Sequence, residues 1–209
     1  MRSTRFLLPA AALLALVTGT ANAQISISAH NFSSMAWSGG EICKPCHTPH
    51  FANPDAGRLW NHALTNATYT LNNGSTGSAA VDFDKGTRLC LSCHDGTVAL
   101  DSFGGMTGTS FMPVTGDLGT DMRNDHPMGS RAIYPTGTST SYNPQDPVSH
   151  QVVFNGKSLR LRSWTDPNGA TQYVVGCRTC HDPHNRGNHG HMLTFSNAAS
   201  ALCLTCHIK

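Results

Sequence analysis

The feature that most constrains this chain is the placement of its eight cysteines, which form four copies of one pattern with none left over. The pattern is Cys-x-x-Cys-His, and its copies are Cys43–His47, Cys90–His94, Cys177–His181 and Cys203–His207. Cysteines three positions apart lie on the same face of a helical turn, so both thiols reach one edge of a bound group. The histidine that follows each pair adds an imidazole at a fixed place beside that edge.

This spacing is the signature of covalent haem attachment, in which two thiols bond the two vinyl groups of the porphyrin and the histidine binds the iron. Disulfides are common in exported proteins and paired cysteines also hold structural zinc, but neither accounts for a histidine after every pair. The sequence therefore predicts four covalently attached haem c groups, each with its iron. The predicted thioether residues are Cys43, Cys46, Cys90, Cys93, Cys177, Cys180, Cys203 and Cys206, and the predicted proximal iron ligands are His47, His94, His181 and His207.

The chain has 12 histidines, so the eight outside the motifs exceed the four distal ligands that four haems need. This surplus favours bis-histidine iron, with methionine, which would raise the potential, as the alternative. We expect four of five candidates to be distal ligands: His30, His50, His62, His126 and His184. His150 is a weaker candidate, and His189 and His191 have the glycine-flanked context of solvated side chains.

Two candidates are informative by position. His50 and His184 each lie three residues after a proximal histidine, too close to reach the opposite face of the same haem. As ligands they must serve a second haem close beside the first; the alternatives are a surface histidine or a partner for a haem propionate. His126 precedes Pro127, which favours an extended backbone suited to a loop that reaches an iron.

The N-terminus has the pattern of a secretory signal. Arg2 and Arg5 precede an apolar run at 6–17, and Ala21-Asn22-Ala23 forms an A-x-A cleavage site. This predicts a cleaved signal peptide at 1–23, with an uncleaved anchor as the alternative, and one tetrahaem domain at 24–209. We expect a secreted, extracellular protein, with the periplasm as the alternative, and no membrane span after cleavage.

The mature chain is balanced in charge, because removal of Arg2 and Arg5 from 14 Lys and Arg leaves 12 against 12 Asp and Glu. A neutral chain argues against a nucleic-acid partner. Long stretches at 65–80 and 104–142 have the composition of loops. The sequence predicts a mostly irregular, coil-rich fold with few short helices and minor β structure, organised by its haems. The expected elements are a helix at Ser196–His207 capped by Ser196 or Asn197, helical turns at Ile42–His47 and Arg88–His94, and strands at Gln151–Phe154 and Gln172–Val175.

Several phrases resemble the doubled-CxxCH multihaem cytochromes over most of the mature chain. They are GEICKPCHTPH ending at His50, LWNH ending at His62, CLSCHDGT ending at Thr97, NDHP around His126, CRTCHDPH ending at His184 and LCLTCH ending at His207. Four haems at this length are most similar to the extracellular tetrahaem filament cytochromes, the OmcE-type nanowires. That resemblance implies a continuous haem stack and a histidine, here His50, that ligates a haem of the adjacent subunit.

The expected function is electron transfer and not catalysis, because bis-histidine iron has no open coordination position. The resemblance implies a head-to-tail self-polymer that passes electrons to other redox cytochromes or external acceptors. The alternatives are a monomeric periplasmic electron carrier and, less favoured, a multihaem reductase with one open iron.

Overall fold

The structure, a computed structural model, describes residues 24–57 and 59–209, so the predicted signal segment lies outside the described residues. In the described part, most of the chain is coil, with short helices and two-stranded antiparallel sheets. This confirms the predicted irregular fold. The α-helices are α1 (Ala79–Asp82), α2 (Lys85–His94), α3 (Cys177–Cys180) and α4 (Ala201–Cys206). The strands are β1 (Thr68–Thr70), β2 (Thr76–Ser78), β3 (Gln151–Phe154), β4 (Lys157–Arg160), β5 (Arg162–Thr165) and β6 (Thr171–Val174).

The β3–β4 hairpin forms because a two-residue turn joins two short strands. Asn155 and Gly156 both have positive φ, 47° and 70°, as such a turn requires. Val152 pairs with Leu159 across the hairpin, and both side chains are buried. The predicted strand Gln151–Phe154 is confirmed with its bounds, and β6 begins one residue before the predicted one.

Part of the predicted loop at 65–80 is instead the β1–β2 hairpin followed by α1. Its strands, Thr-Tyr-Thr and Thr-Gly-Ser, are short and lack apolar alternation, so no periodic pattern predicts them. A single anchor holds them: Tyr69 is buried, and its hydroxyl donates to the Asp95 carboxylate at 2.5 Å.

The C-terminal helix is shorter than predicted, because Ala199 and Ser200 have φ of 53° and 61° and end any helix that approaches from residue 196. Asn197 nevertheless serves the helix start, since its Oδ1 accepts the N–H of Leu202 at 3.0 Å.

The apolar interior is divided into three small clusters, each next to a CxxCH motif. Leu91 of α2 belongs to the first, Cys206 of α4 to the second, and Cys46 packs against the third. The side chains therefore pack around the motifs and not in one shared centre. Among the described residues, no helix has the length and apolar character needed to cross a bilayer.

Candidate haem-binding sites

Each motif forms a helical turn that presents two thiols and an imidazole together. Three of the motif histidines donate their main-chain N–H to the carbonyl of the first cysteine, at 2.8 Å in Cys43–His47 and 2.9 Å in Cys177–His181 and Cys203–His207. The remaining motif, Cys90–His94, is the last turn and a half of α2. The turns predicted at Ile42–His47 and Arg88–His94 thus form, and the i, i+3 spacing places the thiols on one side of each.

Consecutive motifs are neighbours in space, as the thiols show. Burial raises the pKa of the Cys93 thiol, and the electrostatic interaction with Cys46 raises it further. A hydrogen bond with Cys90, followed by burial, raises the pKa of Cys177. Burial and then Cys206 raise the pKa of Cys180 to about 11. The first motif therefore lies beside the second, the second beside the third, and the third beside the fourth.

The structure brings the rings of three predicted distal histidines close to the rings of three proximal ones. The ring centres of His30 and His94 are 6.1 Å apart. Those of His184 and His47 are also 6.1 Å apart. Those of His126 and His207 are 6.3 Å apart.

This spacing is the one that a shared metal ion requires. Two imidazoles that bind one ion from opposite sides, each with its nitrogen about 2 Å away, have ring centres about 6 Å apart. The three pairs fit bis-histidine haem iron, and none of them joins histidines of the same motif. His184, three residues after His181, faces the first motif, as expected of a ligand for a different haem.

Backbone carbonyls fix which ring nitrogen is free to bind iron. Nδ1 donates to Pro183 O at 3.3 Å in His30, to Gly116 O at 2.8 Å in His94 and to Pro127 O at 2.9 Å in His126. A proton held on Nδ1 leaves the Nε2 lone pair for a metal, which is the usual arrangement around metal-binding histidines. Burial lowers the pKa of His30 and of His184, so both imidazoles are neutral at pH 7.

His62, the fourth predicted candidate, has a different environment. It is buried, and both of its nitrogens face carbonyls: Nδ1 lies 2.8 Å from Ala63 O and Nε2 lies 3.0 Å from Ala99 O. Its Nε2 is also 3.6 Å from Cys93 Sγ, so the ring lies against the attachment edge of the second motif. Neither nitrogen is presented to a second imidazole.

His181 is the one proximal histidine that faces no histidine ring among residues 24–57 and 59–209, which include all 12 histidines. Its Nδ1 donates to His191 O at 2.9 Å, so its Nε2 points away from that loop. His50, the remaining predicted candidate, is exposed, and its neighbour Phe51 is fully exposed. The described chain thus leaves one proximal histidine, His181, and two candidate distal histidines, His50 and His62, without a facing histidine ring, and of these two candidates only His50 is exposed.

The weaker candidates lie elsewhere. His150 stacks on Tyr173 with ring centres 3.3 Å apart, and its Nδ1 is buried without a hydrogen-bond partner in the described chain. His189 and His191 belong to the loop behind His181, and His191 contributes its carbonyl there.

A cavity of about 300 Å³ opens beside the last motif, between its cysteines and the facing histidine. Its walls are largely apolar, and residues from six segments line it, including His126, Tyr134, Leu202, Cys203, Cys206 and His207. An apolar slot between two facing imidazoles and two thiols has the chemistry of a porphyrin site.

Two residues that support this site, Asn143 and Tyr134, belong to no sequence motif. Asn143 Nδ2 donates to the carbonyls of Leu204 and Thr205 at 3.0 and 3.1 Å, which satisfies the open end of α4. The Tyr134 hydroxyl donates to Asn143 O at 2.7 Å. A single Asn or Tyr in a loop is too common to be identified in advance.

The alternative uses of cysteine find no support in this geometry. All eight cysteines are unpaired, so the described chain contains no disulfide between them. The described residues also contain no group of three or more Cys, His, Asp or Glu side chains that could hold one metal ion, as a structural zinc site requires.

Comparison with known proteins agrees with the motif interpretation. The family model of the doubled CXXCH motif matches residues 172–209, which hold the last two motifs. No curated protein and no solved structure matches the chain. The doubled motif indicates a multihaem c-type cytochrome that binds haem c covalently and acts in electron transfer.

Proposed function

We propose that this protein is a tetrahaem c-type cytochrome that relays electrons along its four haems, and that its copies join head to tail into an extracellular filament. The observation that carries the electron-transfer role is the set of three histidine pairs with ring centres 6.1–6.3 Å apart. The predicted secretion signal supports export, and other redox cytochromes or external acceptors are the proposed partners.

Bound haem supplies the one-electron chemistry, because its iron alternates between two oxidation states. The chain's own residues attach and orient it. The thiols of each turn would hold one edge of the haem, and the paired imidazoles would bind its iron. In His30, His94 and His126 the carbonyl that accepts from Nδ1 leaves the Nε2 lone pair for this role.

The pairing favours relay over catalysis. Where imidazoles close both sides of an iron, no position is left for a substrate, so the three paired sites are suited only to electron transfer. The proximity of the thiols of consecutive motifs, with a hydrogen bond between Cys90 and Cys177, supports a continuous path from the first motif to the last. We therefore propose that the protein is not an enzyme.

The filament proposal rests on His181 and His50, since His50 is the exposed one of the two distal candidates that face no histidine ring in the described chain. His181 holds its Nδ1 proton on His191 O, which leaves its Nε2 for iron, and His50 lies exposed elsewhere on the chain. A contact in which His50 of one copy serves the His181 site of the next is heterologous, and repetition of such a contact produces an open polymer.

Electron microscopy of the exported holoprotein tests the filament. We expect filaments for the wild type and for the control Val148→Ala, whose side chain is 86% exposed, and discrete particles for His50→Ala. Filaments that persist in His50→Ala contradict the role given to His50. Discrete wild-type particles at high concentration contradict the polymer and leave a monomeric periplasmic carrier as the function.

The haem count is tested on the same preparation by a pyridine haemochrome assay against protein concentration. Four haems per chain are expected, and three or fewer in a fully matured sample would contradict the proposal.

A further inference from the structure

His181 is exposed, whereas His94, another proximal histidine with a carbonyl on Nδ1, is half-buried. The loop at 189–193 packs against the Nδ1 side of His181. The His181 main-chain N–H donates to Cys177 O at 2.9 Å, and its backbone bridges to Leu193. Its Nδ1 donates to His191 O at 2.9 Å. Three anchors thus fix the imidazole, with the 189–193 loop on its Nδ1 side and Nε2 directed away from that loop.

The Nε2 side of the His181 imidazole differs from that of the other three proximal histidines. His47, His94 and His207 each face a histidine ring at 6.1–6.3 Å, but His181 faces none in the described chain. The Met192 backbone belongs to the loop behind the ring, where its carbonyl accepts the N–H of Asp182 at 2.7 Å, and the Met128 Sδ lies 3.6 Å from Cys177 Sγ, at the thiol edge of this motif. An iron held by His181 therefore receives one imidazole from this chain, where the other three receive two.

We propose that the His181 site of an unassembled subunit binds an external ligand: a small, neutral σ-donor of the imidazole class or carbon monoxide. This inference rests on the proposed haem attachment. The ligand donates its lone pair to the open side of the iron and displaces only solvent, so no electron is transferred. His50 of a second copy is a donor of the same class, so free imidazole competes with assembly and caps the growing end of a filament.

The His50→Ala variant of the holoprotein is the material for the test, because its exposed substitution removes the competing donor without touching the described packing. Optical and EPR spectra should show one high-spin haem in four. Imidazole should convert that haem to low spin, and the reduced protein should bind one CO per chain. Val148→Ala, at a side chain that is 86% exposed, is the control and should bind CO only when its filaments are dissociated by dilution.

A second variant calibrates the stoichiometry. His30 faces His94, so His30→Ala combined with His50→Ala should raise the CO count from one to two per chain. If His50→Ala matures poorly, wild-type subunits dissociated by dilution provide the same measurement.

The outcomes separate this inference from the filament proposal. If dispersed His50→Ala has four low-spin haems and binds no CO, the proposal of an open site at His181 is wrong. Wild-type filaments would in that case still support the polymer. One CO per chain without any wild-type filament would support the open site and refute the polymer. Imidazole that leaves wild-type assembly unchanged would refute the competition, since both donors are assigned to one position.

Discussion

The Asp84 carboxylate joins the second and third motifs, so its removal should destabilise both. Asp84 is buried at the N-terminus of α2, where Oδ1 accepts the N–H groups of Gly86 and Thr87 at 2.9 and 3.2 Å. Its Oδ2 accepts from the Thr87 hydroxyl at 2.5 Å. That hydroxyl in turn accepts the N–H of Cys177, the first residue of α3, at 3.1 Å.

The expected loss follows from these bonds. Replacement of a helix N-cap aspartate by alanine costs about 0.5–2 kcal/mol. A buried hydrogen bond to a charged group contributes about 1.5–3 kcal/mol more. Because the two contributions share one carboxylate and are not fully additive, we expect Asp84→Ala to lower the free energy of unfolding by about 2–4 kcal/mol.

Guanidinium chloride unfolding of the holoprotein, followed by far-UV circular dichroism, measures this change as a shift of the midpoint at constant slope. Asp84→Asn keeps an N-cap acceptor and should lose less. The control is Asp146→Ala, since Asp146 also accepts two main-chain N–H groups but is exposed in a turn. A loss below about 0.5 kcal/mol for Asp84→Ala, the range of neutral surface changes, would refute the reasoning.

Three further changes test the packing and the pairing. Gly176→Ala should lower the thermal midpoint, because its Cβ would lie 2.2 Å from Asp84 Oδ2, whereas Gly137→Ala has no atom within 4 Å to meet and should be neutral. His126→Ala should convert one haem in four to high spin in the EPR spectrum, and an all-low-spin spectrum would contradict the pairing with His207. Asn143→Ala should destabilise the protein by about 1–3 kcal/mol in chemical unfolding, since two carbonyls of α4 lose their donor; an unchanged midpoint argues against this cap.

Local spacing was enough to predict the motif turns, because the information lies within five consecutive residues. The strand Gln151–Phe154 was predictable from its β-branched residues, but its partner β4 was not, since Lys157–Arg160 has one apolar residue among polar ones. Val152 pairs with Leu159, and both side chains belong to the buried cluster that includes Cys206 of α4, so packing against a distant part of the chain accompanies the hairpin.

The pairing of distal with proximal histidines could not be predicted from the sequence for a different reason. His184 and His47 are 137 positions apart in the chain, and their approach depends on how the loops between them pack. The acceptors that orient the rings, such as Pro183 O and Gly116 O, are backbone atoms, which any residue carries. The number of histidines predicts more candidate ligands than the irons need, but it does not identify the candidate that binds no iron. The sequence around His62 does not show that both of its ring nitrogens face backbone carbonyls.

The coil-rich fold has a physical link to the proposed cofactor sites. In a helix or a sheet, each carbonyl already accepts a main-chain N–H, so it has little capacity left for a side chain. Four ring nitrogens, those of His30, His94, His126 and His181, donate instead to loop carbonyls. None of these carbonyls accepts a main-chain N–H from the part of the chain that the structure describes. Irregular backbone therefore supplies the acceptors that fix the imidazoles, and replacement of such loops by regular helix would remove the orientation that the proposed electron path requires.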